Sequence, residues 1–118
     1  MQPANLPLEI YRGDSQRMRV KLYVPGTPPS PVDLTDVVAK AQIRDRPAGD
    51  TIINLICTIE LPNIIEIELT AGDSFKLPVA GVWDLQLTFS SGEVKTPLAG
   101  QVSVTPDVTD STPFPQPV

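Results

Sequence analysis

An all-β fold is predicted by three features of this 118-residue chain. Apolar residues recur with period two, not 3.6, wherever the sequence is hydrophobic, as in strands that bury one face. The alternating runs are short and bounded by Gly, Pro, Asn and Asp. The 14 prolines leave no uninterrupted stretch suited to a long helix.

Taken in order, the first clear strand is QRMRVKLYV, where Met18, Val20, Leu22 and Val24 alternate with Arg17, Arg19, Lys21 and Tyr23. One face is apolar and the other basic. PGTPPSP (25–31) is too rich in proline to pair and reads as a loop. DVVAKAQIRD repeats the alternation with Val37, Ala39, Ala41 and Ile43 inward, and RPAGD turns the chain. TIINLICTIEL places Ile53, Leu55, Cys57, Ile59 and Leu61 on one face. After Pro62-Asn63 the run IIEIELT places Ile65, Ile67 and Leu69 inward against Glu66 and Glu68, so the two runs form a hairpin. LTAGDSFKLPV admits a helical turn capped by Thr70 and ended by Pro78. The last third gives a strand with Trp83, Leu85, Leu87 and Phe89 inward, a Ser-Ser-Gly turn, and a broken strand carrying Val94, then Val102 and Val104.

About seven strands without a long helix point to an antiparallel β-sandwich or a small barrel, and an immunoglobulin-like sandwich is the first choice, although the paired cysteines of antibody domains are missing. The length suits one domain. We place it at residues 1–105 and read 106–118, PDVTDSTPFPQPV with its prolines and few groups to bury, as an extended Pro-rich C-terminal arm.

The net charge of −5 offers no basic footprint for a phosphate backbone, so nucleic acid is not expected as a partner. No apolar run approaches the roughly 20 residues that cross a bilayer, and MQPANLPLEIY lacks the regions of a signal peptide, so neither a membrane nor secretion is expected. The single cysteine, Cys57, reads as a small buried hydrophobe.

The sequence contains no histidine, which removes the commonest general base and metal ligand and makes a Ser-His-Asp triad impossible. Gly-Asp-Ser occurs twice, at 13–15 and 72–74, and its letters resemble the start of the GDSL block of some esterases. Without an activating base both copies read as turns, since Gly allows positive φ and Asp and Ser bond back to the backbone. The first copy lies within Arg12-Gly13-Asp14-Ser15, the tetrapeptide that adhesion proteins show to integrins. Asp33 and Asp36 in VDLTD, and Glu66 and Glu68, do not match the alternating oxygen ligands of a calcium loop. A Gly-rich phosphate cradle is missing too. We therefore expect no enzyme, cofactor, metal or small-molecule substrate. The outward Arg17, Arg19 and Lys21 are placed to face Glu66 and Glu68 across a strand pair, as a solvated charged sheet or as a subunit interface.

"IYRGDSQRMRVKLYV", "PVDLTDVVAKAQIRD" and "VWDLQLTFSSGEVKTPLAGQVSVTPDVT", in that order, resemble a group of small tailed-bacteriophage virion proteins and the N-terminal, baseplate-attaching domain of phage baseplate upper proteins. The resemblance covers about residues 7–109. It implies that Gly13-Asp14 is a turn with Arg12 and Ser15 incidental, that Pro31-Val32-Asp33-Leu34-Thr35 leads into a strand, that Trp83-Asp84-Leu85 is a core strand and that Gly100 to Thr109 closes the fold. It implies an immunoglobulin-like sandwich whose work is assembly in the virion, put together in the host cytoplasm. This chain stops at Val118 without a fibre or receptor-binding domain, which favours a small adaptor or cement subunit.

The expected function is that of a non-enzymatic virion structural protein, an oligomeric adaptor of the tail, baseplate or neck that acts by subunit packing and arm exchange. Its partners would be further copies and other virion proteins. The alternatives are a capsid cement or decoration protein and, below it, a carbohydrate- or cell-surface-binding adhesion module. The expected assembly contacts are Phe114 with Pro113 and Pro115 in the arm, and Pro28 and Pro29 in the 25–31 loop. Phe114 is the arm's only aromatic residue, hence a pocket-filling anchor or an exposed accident.

Overall fold

The computed structural model describes residues 3–47 and 49–106. The arm residues Phe114, Pro113 and Pro115 lie outside the described residues. The elements are β1 (Ala4–Asn5), β2 (Leu8–Tyr11), β3 (Gln16–Lys21), β4 (Tyr23–Val24), β5 (Ser30–Pro31), β6 (Val38–Arg44), β7 (Thr51–Glu60), β8 (Ile64–Leu69), α1 (Ala71–Ser74), β9 (Ala80–Thr88) and β10 (Val94–Thr105). The fold is all-β. Eight strands form one curled sheet in the order β1-β10-β9-β6-β7-β8-β3, with β2 also on β10, while β4 and β5 make a separate two-stranded ribbon.

The curl comes from β7. Its residues Thr51 to Leu55 pair with β6, whereas Ile56 to Glu60 pair with β8. One strand thus belongs to both halves of the sheet, and the apolar alternation of each half points into a common core. Ile43, Leu55, Ile65, Ile67, Leu85, Leu87, Val102 and Val104 are all buried there. At the seam where the curl ends, β2 and β3 face each other without a ladder. The Gln16 side-chain amide donates to the Glu9 carbonyl at 3.2 Å across the gap, over a cavity of about 70 Å³ lined by Leu8, Ile10, Met18 and Ile67 among others.

The inward positions expected for the strands at 37–43, 53–59, 65–69 and 83–89 are buried or half-buried. Thr70 caps α1 by accepting from the Asp73 N–H at 3.2 Å. Several details correct the sequence-based expectation. Pairing is not wholly antiparallel, because β1 and β2 both run parallel to β10. The 25–31 segment does pair at its end, Tyr23 opposite Pro31 and Val24 opposite Ser30. A two-stranded ribbon has outer edges, where proline's missing N–H is not needed. Val24 follows this ribbon out of the sheet and is exposed, and Leu61 sits in the β7–β8 turn, 62% exposed. The last strand is continuous, since Thr96 and Pro97 are absorbed by a register shift between Lys95 and Leu98.

The N-terminal strands are locked by a three-part contact. The Leu6 N–H donates to the Ala99 carbonyl at 2.9 Å, and the Leu6 carbonyl accepts from the buried Trp83 indole N–H at 2.8 Å. Both bonds bring Leu6 directly over Gly100, where an added Cβ would sit on the Leu6 carbonyl. Glycine is therefore required for close approach, not for an unusual φ.

Gly100→Ala is expected to cost about 1–3 kcal/mol, the range for overpacking a well-packed site. Urea unfolding reads the loss, and amide exchange should show protection lost first at Leu6 and Leu8.

Candidate functional site

Arg12-Gly13-Asp14-Ser15 forms the β2–β3 turn, with Gly13 at φ 93° and the Asp14 N–H bonded to the Tyr11 carbonyl at 3.0 Å. The two Gly-Asp-Ser copies meet here. Ser74 is fully buried; its Oγ accepts from the Gly13 N–H at 2.8 Å and donates to the Tyr11 carbonyl at 3.3 Å. The hydroxyl is thus a brace between the turn and α1, with both functions spent on backbone. The second copy lies in the helical turn itself. Arg12 is not incidental, because its Nη2 donates to the Leu77 carbonyl at 3.1 Å and its N–H to the Thr105 carbonyl at 2.9 Å. The guanidinium is thus turned back onto the segment that follows α1.

Asp33 and Asp36 flank a local turn. The Asp33 Oδ1 accepts from the Thr35 hydroxyl at 2.6 Å and the Thr35 N–H at 3.0 Å, and these two bonds, the hydroxyl first, hold the carboxyl below the ordinary aspartate range. Asp36 takes a left-handed φ of 60°. Leu34 and Val37 dip into the core from either side of Thr35 and Asp36. Among the described residues, no three His, Cys, Asp or Glu side chains gather as a metal site, and no helix is long and apolar enough to cross a membrane. Cys57 is half-buried, and desolvation pushes its thiol up against an opposing backbone bond from Ala41.

The charged face is a ladder. Arg17 is opposite Glu68 and Arg19 opposite Glu66 in the β3–β8 register. Arg17 reaches Glu68 at 2.9 Å and Glu66 at 3.6 Å, and Arg19 reaches Glu60 at 2.7 Å and Glu66 at 3.6 Å. Glu60 comes from β7, a third strand that the sequence pairing did not include. The Glu68 hydrogen bond, with the charges of Glu68 and Glu66, holds Arg17 above its ordinary range. Such exposed pairs add little stability, but three cations along β3 guard its free edge against pairing with another chain. The opposite flank is polar: Gln42 bonds Asn54 at 2.8 Å, and the Arg44 guanidinium donates to Gln42 at 2.8 Å and to the Gly49 carbonyl at 2.7 Å.

Apart from Ile56, exposed on the outward face of β7, the exposed large apolar side chains gather at the two ends of the body. Tyr11, Phe75 and Val79 stand at the end where β10 finishes, and Tyr23, Val24, Val38, Leu61 and Val94 at the end where β10 starts. Val38 and Val94 both lie opposite Thr88, so three strands contribute one outward row. At this second end a groove of about 300 Å³ opens between the β4–β5 ribbon, β1 and the β9–β10 turn. Leu22, Tyr23, Pro25, Phe89 and Pro97 supply apolar walls, and its charged lining residues are Lys21 and Lys95. Of the proline-loop contacts expected from sequence, Pro28 and Pro29 are exposed beside this groove's ribbon but do not line it; Pro25 does. The groove was missed because its walls come from four separate segments. Its one sequence signal was Tyr23, an aromatic residue on an otherwise basic outward set.

Comparison with family models finds no match, and no curated protein matches the chain.

Ser74→Ala should leave the Gly13 N–H buried and unpaired, a loss of about 1–3 kcal/mol measurable by urea unfolding. The Asp33 carboxyl should titrate by NMR below the ordinary aspartate value, and Thr35→Val should move the midpoint up. Because the folded value is the depressed one, the turn's contribution is present above the unfolded aspartate pKa and is lost as pH falls through the folded one.

Proposed function

We propose that this chain is a non-enzymatic structural protein of a tailed-phage virion, an oligomeric adaptor of the tail, baseplate or neck built on an immunoglobulin-like sandwich. Strand order supports the architecture. β10-β9-β6 and β3-β8-β7 follow the two-sheet arrangement of that fold, with β7 serving as the strand that changes sheets. The sequence blocks that carry the phage resemblance fall on elements with definite structural work: the Gly13-Asp14 turn, the Asp33–Thr35 turn before β6, Trp83 over Leu6, and Gly100 beneath it.

The observation that carries the assembly function is the sorting of the surface. Both flanks carry paired polar groups, while the exposed large apolar groups other than Ile56 collect at opposite ends. Contacts made end to end use two different patches and are heterologous, the kind that generates rings and stacks. Guarded edges favour packing and arm exchange over edge-to-edge strand pairing. The 106–118 segment then acts as the exchanged arm, its prolines lowering the cost of ordering. A cement protein would use the same surfaces at a different place on the particle.

Light scattering on the full chain and on a chain ending at Thr105 tests this reading. The full chain should form discrete oligomers and the shortened one monomers. Equal masses for the two would remove arm exchange from the mechanism.

A further inference from the structure

We propose that the groove between the β4–β5 ribbon and the β9–β10 turn is the receptor for the 106–118 arm of a neighbouring copy, with Phe114 seated between Tyr23 and Phe89. The proposal rests on the arm-exchange reading above and names the surface that reading leaves open.

Three observations select this occupant. The first is chemistry: the walls are apolar and include Tyr23, Phe89, Pro25 and Pro97, the kind of surface on which Pro-rich segments dock, and the arm offers Pro113-Phe114-Pro115. The second is charge. The arm carries Asp107 and Asp110 and no Lys or Arg, while the groove's charged lining residues are Lys21 and Lys95. Lys95 has a partner in Glu93 at 3.3 Å, but Glu93 is 60% exposed, so the pair leaves the ammonium free to exchange.

The third is position. The arm leaves the body after Thr105, beside Tyr11, and the groove lies by Leu98 and Lys95 at the other end of the same strand. The stretch of β10 from Leu98 to Thr105 is about 23 Å long at strand spacing. From Thr105 to Phe114 a fully extended chain reaches about 30 Å. An arm returning to its own groove would have to reverse at once and lie taut along a polar flank that offers Phe114 nothing. A copy stacked end to end instead presents its groove next to the exit point, with the exposed Tyr11, Phe75 and Val79 of one copy facing the Tyr23 end of the next.

Sedimentation equilibrium of the full chain over a wide concentration range tests the assignment, with thermal melts confirming that each variant is folded. Phe114→Ala and Tyr23→Ala should each weaken self-association at least tenfold, and the double variant should be no weaker than the singles, as expected when the two side chains meet. Tyr23 is half-exposed and outside the core, so its replacement should leave the melt near that of the parent. K21E/K95E should weaken association, and combining it with D107K/D110K should restore it. If Phe114→Ala weakens association while Tyr23→Ala and K21E/K95E do not, the groove assignment is overturned and the arm-exchange reading survives. If no arm change matters, both fall. A chain that stays monomeric at every concentration also overturns the proposal, and with it a neighbouring copy as the occupant.

Discussion

The structure depends on one strand doing two jobs. β7 gives its first half to β6 and its second to β8, and among the described residues no other strand joins the two halves of the sheet through a ladder. Its ten residues must therefore carry a pattern that suits both halves. Ile53 and Leu55 are buried against one set of neighbours, Cys57 and Ile59 are half-buried against the other, and Asn54, Ile56 and Thr58 face out. From Ile53 to Glu60 the burial alternates without a break, which allows the changeover without a side chain landing on the wrong face, while the irregularity in the β6 pairing is confined to Ile52 at the start of the strand. Everything inward of it, from Ile43 to Ile67, relies on that register.

Most of the β framework was legible from alternation because half-buried strands leave a period-two trace in any chain. The Thr70 cap was legible because capping depends on local spacing, and alternation placed Arg17, Arg19 and Lys21 to face Glu66 and Glu68. The pairing of Arg17 with Glu68 and Arg19 with Glu66 depends instead on a register between segments about fifty residues apart, which the sequence does not specify. What stayed hidden lacks such a trace. Ala4–Asn5 is two residues long and exposed, and its parallel pairing to β10 follows from the Leu6 contact with Trp83 and Gly100, residues far away in sequence. Arg12 looked free because the carbonyl it binds, that of Leu77, belongs to a segment distant along the chain. The groove is a tertiary product throughout.

The surface shows a consistent division of labour. Where a strand edge is open it carries charge, as in β3, or is bridged by a side chain, as Gln16 bridges to Glu9. Where large apolar groups are exposed they sit mostly on loops, strand ends and turns, with Ile56 in the middle of β7 as the exception. An arrangement of this kind permits contacts of defined geometry through shaped pockets and discourages the open-ended strand pairing that leads to aggregation. Within an assembly of many identical subunits that distinction decides whether association closes.

The parallel pairing of β2 with β10 has a mechanical side. The chain enters β1 opposite Leu98 and leaves β10 at Thr105, with β1 and β2 both adjacent to β10 and pointing the same way. A pull applied between the start of β1 and the end of β10 would act along adjacent strands in opposite directions, so the hydrogen bonds between them would be loaded in shear and yield together, instead of opening one after another as in a peeled hairpin. The Leu6 bonds to Ala99 and Trp83 and the Arg12 bond to Thr105 sit at the two limits of this clamp. A chain wired in this way would take an end-to-end pull first on β1, β2 and β10, before the strands packed behind them.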